Sequence, residues 1–480
     1  MVGRLLPLMV ALGGAAAPPS QPTEVTVYNG GFAFVKEVRT LDLRSGKQTV
    51  NVSDVASTIE PTSVGIRSLT DPGSISVLEQ NYEYDLISPE AILAKSVGKR
   101  IRFIRTLGSE KDVLSGVLLS APTSVVNTGG GMGGGEMAYN GMVVRTDDGH
   151  IVLNPVGEVE VETVPEGLIS EPTLSWMLDA SRAGPNQVEL SYLADQMNWH
   201  ADYVLTLDGE KSADLLGWVT IQNQSGKTYK DARLKLLAGD VFRARPNGIY
   251  EQGMVMNDAA AGAKKADQFQ QQSLFEYHLY TLQRPATIKN NETKQLSLLE
   301  KHGVHFERKL VVDSMADYWG YSPREGLVGV GDIKPQVRVE FVNSEANHLG
   351  IPLPKGTVKV YQRDASGSMQ MLGEASIDHT PKDETVSLPI GRSFDVRATR
   401  TRTAFDRLAF DLDGESFKVE VRNRGEKAET VYVLERHWGD WRVTQSSMDW
   451  KKLDANTMQY VLKLKAGEVQ TVTYRVETRY

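Results

Sequence analysis

His302 and His305 stand three residues apart, a spacing that on a helix puts two imidazoles on one face and offers half a metal site. Their flanks, Leu296 to Leu299 and Phe306 to Val312, read as extended. Positions three apart on a strand point to opposite faces, and no further His or acidic motif completes a ligand set. The expectation is no metal and two ordinary histidines. Asp378-His379 followed by Lys382-Asp383-Glu384 places a base, an orienting acid and a lysine in one short window. Nucleophilic catalysis also needs a hydroxyl on a sharp turn with oxyanion donors, and there is no Gly-x-Ser-x-Gly. A polar turn between strands accounts for the same residues. Three of the seven tryptophans, Trp438, Trp441 and Trp450, lie close in sequence to His437, Asp440 and Asp449. Flat aromatic faces beside carboxylates suit a glycan or a peptide, and the same rings also suit a sandwich core or a hairpin corner. Asn198-Trp199-His200-Ala201-Asp202 raises the same choice, with the core favoured.

These residues sit in a chain that the composition bounds. At 480 residues it is long enough for about three domains and several cores. It has no cysteine, which excludes a disulfide framework, thiolate zinc, a Cys nucleophile and a lipoprotein anchor. With 53 basic and 61 acidic residues and no basic run, it lacks a phosphate-neutralising stripe, so nucleic acid is not an expected partner. The six glycines within Thr128–Gly135 suggest a phosphate loop, but the Gly-Lys-Ser/Thr ending and following helix are missing. A flexible hairpin tip is the simpler reading, and no cofactor is expected. Arg4, the apolar run Leu5–Leu12 and the small residues Gly13 to Ala17 form the three-part pattern of a secretory signal, placed over residues 1–22. No later run is long enough to span a bilayer. The expected location is therefore periplasmic or extracellular.

The elements that must position the candidate residues are strands. Phe417 to Arg422, Val337 to Phe341 and Gln470 to Val476 alternate apolar and polar residues, as half-buried antiparallel strands do. The fold class expected is mainly β: several antiparallel sandwiches plus a small SH3- or Sm-like barrel. The divisions read as an N-terminal β domain over 23–84, a helix-plus-five-strand barrel over 85–165 and a linker over 166–186, with a short helix around Leu174–Ala180. Two sandwiches follow, over 187–335 and 336–480, the first interrupted by a mobile loop at 257–272. In the barrel, Ser88-Pro89-Glu90-Ala91 opens a short helix that Gly98 ends. No internal repeat is evident.

In the third region a set of motifs has a familiar combination. Tyr192-Leu193-Ala194, Met197-Asn198-Trp199 and Ala201-Asp202-Tyr203 are followed by Gly217-Trp218-Val219-Thr220-Ile221, Asn223 and Ser225-Gly226. Tyr229, Asp231-Ala232, Leu234, Ala238-Gly239-Asp240-Val241, Asn291 to Gln295 and Asp378 to Glu384 complete it. Together, over about 187–480, they resemble a bacterial domain of unknown function found in mucoidy inhibitor A-like proteins. Val25 to Asp54 resembles the smaller domain that precedes it there. The coiled coil common between the two parts in that family is replaced here by the barrel-like unit. The resemblance implies a β fold and an envelope association, and no catalytic residues.

Two functions follow as expectations. One is an exported, non-enzymatic envelope protein that binds a partner protein or polysaccharide, with Trp438, Trp441, Trp450, His437 and Asp440 as the candidate binding residues. The other is a hydrolase of envelope polymers whose catalytic acids cannot be picked from 61 Asp and Glu. Two carboxylates converging in one deep cleft at about 5–9.5 Å would favour it.

Overall fold

The computed structural model describes residues 22–107, 110–127, 137–243, 268–313, 315 and 330–480. It is 64% strand and 3% helix, so the mainly β expectation holds. The signal segment (but for residue 22), the glycine tract 129–135 and residues 257–267 lie outside the described residues. Phe269 to Gln272, expected in a loop, belong instead to the strand Phe269–Leu274, which pairs with Tyr277–Leu282. Phe269, buried at the strand start, anchors it.

The principal architecture is one strand order used twice. In the first sandwich Glu24–Tyr28 pairs in parallel with Tyr229–Ala238 and antiparallel with Phe32–Leu43, which pairs with Gly184–Asp195. The facing sheet joins Met197–Asp208, Ser212–Asn223 and Glu292–His305. In the second sandwich Glu307–Asp313 pairs in parallel with Glu429–Arg436 and antiparallel with Gln336–Val342, which pairs with Thr385–Arg392. The facing sheet joins Val396–Ala409, Leu412–Asn423 and Val469–Arg479. The order of strands along the chain and across each sheet is the same. This internal repeat is invisible as sequence identity, because a strand asks only for alternation of apolar and polar residues.

What recurs in sequence is a short signature at the strand ends. Val219-Thr220-Ile221-Gln222-Asn223 and Val419-Glu420-Val421-Arg422-Asn423 close equivalent strands, and both asparagines are fully buried. The Asn223 amide donates to the carbonyls of Lys227 (2.9 Å) and Lys289 (3.0 Å), and its oxygen accepts from the Ser225 N–H at 3.0 Å. Asn423 does the same with Lys427 (2.7 Å), Lys465 (3.0 Å) and the Gly425 N–H (3.0 Å). A third copy, Val339-Glu340-Phe341-Val342-Asn343, binds Ile351 and Pro381 carbonyls and the Gly350 N–H. Each asparagine thus satisfies backbone groups that a turn leaves unpaired in a dry site. Asn423→Ala should cost about 3 kcal/mol, because it orphans several buried backbone groups at once. Urea unfolding would read it, and a loss below about 0.5 kcal/mol would show that the pin is dispensable.

The expected divisions need redrawing. The strands of 24–43 share a sheet with 184–238, so the N-terminal segment is part of the first sandwich rather than a separate unit. Nor is 335/336 a boundary. The second sandwich starts at Glu307, and its hairpin Gly356–Arg363/Met369–Ile377 crosses over to pair in parallel with Met197–Asp208 of the first. Accordingly Val358, Val360, Phe341 and Leu388 pack in the first core. The helix expected near Leu174–Ala180 is a strand, Thr173–Ala180, between Gly46–Val52 and Ile75–Glu83. Its buried Leu174, Trp176, Leu178 and Ala180 have period two, which fits a sheet and not a helix.

The inserted unit matches its outline. Ser88 caps Pro89–Lys95 by accepting from the Ala91 N–H at 3.1 Å. Five strands follow in the order Ile151–Leu153, Val143–Thr146, Glu110–Ser120, Arg100–Leu107, Glu158–Glu160. They surround their own core of Leu93, Ile101, Phe103, Leu118, Met142 and Val144. The entry and exit of this unit are clasped, the Ile87 N–H donating to the Ile169 carbonyl and the Ile169 N–H to that of Asp85.

Candidate functional site

The second sandwich buries charge at positions where the first has apolar residues, although the first buries its own pair elsewhere, Glu37 3.3 Å from Lys227. Along Val396–Ala409, Val396, Ala398 and Arg400 all point inward. Arg400 faces Val419 across the ladder, as Ala201 faces Val219 in the first sandwich. Tyr474 faces Phe417 as Leu299 faces Gly217. The Arg400 Nε donates to Glu435 Oε2 at 2.8 Å, and the Tyr474 hydroxyl donates to the same oxygen at 2.6 Å. The guanidinium lies 3.8 Å from the centre of the Phe417 ring, a cation–π contact. His437 Nε2 is 3.3 Å from the Tyr474 hydroxyl. Arg400, Glu435, Tyr474 and His437 are 4%, 1%, 3% and 6% exposed, so the whole cluster is inside the protein. Among the described residues Glu435 Oε1 has no hydrogen-bond partner.

Burial governs the protonation of this cluster. It pulls the His437 imidazole down to about 3, assisted by the nearby Arg400 charge, so His437 is neutral at pH 7. Burial, then the Glu435 carboxylate, pushes the Tyr474 hydroxyl well above its ordinary value. Burial works against the Arg400 charge, but Glu435 and Tyr474 outweigh it and the guanidinium is held more firmly protonated.

The aromatic group grows from this buried root. His437 and Trp441 have ring centres 5.5 Å apart, and Trp441 and Trp450 6.0 Å. Trp441 is 7% exposed, and its indole N–H donates to the Ala455 carbonyl at 2.8 Å. His437 and Trp441 are therefore buried and do not lie on a surface platform. The exposed parts are Trp450 (36%) and Trp438 (46%), with Asp440 beside Trp438. Lys452 lies 4.4 Å from the Trp441 ring. Gly439 allows this arrangement. Its φ of 84° turns the chain from one sheet to the other, and a Cβ there would meet the Arg479 carbonyl at 2.6 Å.

The remaining candidates do not converge. His302 and His305 are both exposed, with His302 3.2 Å from Asp214, and no metal-ligating group of three is present among the described residues. His379 Nδ1 accepts from the Lys355 N–H at 3.1 Å, whereas Lys382 turns away to Glu345 at 2.8 Å. Asp383 has a left-handed φ of 68° and donates its N–H to the Asn343 carbonyl, a turn role. Trp199 is core, its indole donating to the Leu237 carbonyl at 3.2 Å. Sequence reasoning missed Arg400, Glu435 and Tyr474. The available signal was parity: Arg400 shares a strand face with Val396 and Ala398, and Glu435 shares one with Val431 and Val433.

No helix among the described residues is long and apolar enough to cross a membrane. The chain matches no family model and no curated protein.

Proposed function

We propose that this chain is an exported, non-enzymatic protein of the bacterial cell envelope that binds a partner protein or polysaccharide. The observation that carries the reading is the mounting of Trp450 and Trp438. Both rings are half-exposed, and that of Trp450 lies 6.0 Å from the ring of Trp441, which the core immobilises. Rigid amphipathic rings give contact area at low ordering cost, and such anchors dominate binding energy. The N-terminal signal pattern and the mucoidy inhibitor A-like motifs support the envelope location. The alternative, a hydrolase, would concentrate its function in one acid or histidine.

The test pairs fractionation with binding. The native protein is expected outside the cytoplasm. Purified protein is expected to bind an isolated envelope fraction, here insoluble cell-wall glycan or solubilised envelope protein. Trp450→Ala should weaken that binding about tenfold or more without moving the melting temperature, the behaviour of a contact anchor. His379→Ala should bind as wild type. If Trp450→Ala and Trp438→Ala bind normally while a folded His379→Ala loses all function, the enzyme reading replaces this one.

A further inference from the structure

The two sandwiches finish the same corner differently. Met197 pairs with Asn223, and the Gln224 N–H donates to the Gln196 carbonyl at 2.9 Å. Val396 pairs with Asn423, and the Arg424 N–H donates to the Asp395 carbonyl at 2.9 Å. Asp195 and Phe394 are therefore equivalent, as are Ser225 and Gly425, and Lys227 and Lys427. In the first sandwich the segment 54–60 seats between these places. The Asp195 N–H donates to the Thr58 carbonyl at 3.0 Å, and the Thr58 hydroxyl donates to the Asp195 carbonyl at 2.6 Å. The Ser225 carbonyl accepts from the Thr58 N–H and from the Ser57 hydroxyl, and Lys227 reaches Asp54 at 2.9 Å. Covered in this way, the Lys227 side chain is only 6% exposed.

The second sandwich leaves the same place open. Its connection from Gln336–Val342 to Thr385–Arg392 carries the hairpin that pairs with the first sandwich, and none of that connection lines the corner. A cleft of about 320 Å³ remains, with Phe394, Asp395 and Val396 on one side and Asn423, Gly425 and Lys427 on the other. Among the described residues nothing hydrogen-bonds to the Phe394 N–H or carbonyl, or to the Gly425 carbonyl. Phe394 is 85% exposed, and the Lys427 side chain, which meets Glu210 at 3.3 Å, is 82% exposed. Open backbone groups of this kind take an extended chain, with main-chain bonds giving affinity and side-chain seats giving specificity. The two turns are not copies. Glu426 replaces Gly226, where a Cβ would collide with the Ser57 hydroxyl, so an occupant must be small opposite it.

We propose that this cleft takes an extended segment of a partner protein with the pattern Asp-x-x-Ser-Thr. Main-chain hydrogen bonds to Phe394 and Gly425 hold it, with an ion pair to Lys427. The inference goes beyond the tryptophan reading and uses none of its residues. The probe is a fluorescein-labelled peptide with the sequence of residues 51–62, titrated onto the full chain and followed by anisotropy. The chain's own copy of that segment fills the first seat, so the free peptide meets the second. A short flexible peptide bears its full ordering cost, so a dissociation constant on the order of 100 μM is expected. Lys427→Glu, at an exposed position, should weaken binding about fivefold or more with an unchanged near-UV spectrum. A peptide carrying Asp54→Lys should regain that loss on the Lys427→Glu protein, and one carrying Ser57→Leu should not bind. Trp450→Ala should bind the peptide as wild type, so a failure of the tryptophan reading leaves this result untouched. No binding up to about 2 mM peptide overturns the proposal. So does binding indifferent to Lys427→Glu, or equal binding of a peptide with the same residues in scrambled order.

Discussion

Glu435→Ala should destabilise the second sandwich by about 3–5 kcal/mol, the cost of leaving a buried charge without its counter-ion. The expected result for Arg400→Met, Glu435→Leu and Tyr474→Phe together is the opposite: stability within about 1 kcal/mol of wild type, or above it. The reason is internal to the molecule. The first sandwich has the same strand order and puts Ala201 where the second puts Arg400, and Leu299 where the second puts Tyr474. A dry version of this site is therefore compatible with the architecture. Equilibrium urea unfolding reads both variants. A triple variant as weak as Glu435→Ala would mean that the charged cluster is needed to set the strand register. A stable one would separate the cluster from folding and leave binding near His437 and Trp441 as its use.

Acid should reach the same sandwich through His437. In the unfolded chain this imidazole takes a proton near its ordinary 6.5, whereas in the folded protein it does so only near 3. Between those values the unfolded state binds the extra proton. The stabilising contribution is thus complete above about pH 6.5 and is lost as pH falls towards 3, by about 1.4 kcal/mol per unit and on the order of 5 kcal/mol in all. The groups facing the ring are Arg400, whose charge opposes protonation, and Tyr474, with the rings of Phe417 and Trp441 excluding water. His437→Phe should flatten this slope. Carboxylates elsewhere titrate in both proteins, so the quantity to read is the difference between their urea midpoints at pH 7, 5 and 4. Parallel slopes would refute the assignment.

The strands were legible because alternation is a local property. Phe417 to Arg422 and Val337 to Phe341 are strands as read, and the Ser88 cap held because capping chemistry is also local. Pairing was not legible. Nothing near Val25 announces that its partner is Leu234, in parallel, across an inserted domain. The segment Leu174–Ala180 misled because Trp, Met and Leu suit a helix as well as a strand, and two neighbouring strands decided the matter. At the site, the sequence showed the tryptophans but not which ring is buried. It hid the Arg400–Glu435–Tyr474 cluster because the contacts span 35 and 39 residues.

The hairpin lent by the second sandwich to the first sets the timing of synthesis. Glu24–Tyr28 must wait for Tyr229–Ala238, and the Met197–Asp208 edge stays uncovered until Gly356–Arg363 has been made. An N-terminal module normally closes while the rest of the chain is still emerging. Here more than half of the polypeptide must exist before the first core is complete, and pairings so distant form slowly. Until then the first sandwich keeps open strand edges, while the inserted unit, which has its own core, does not depend on them.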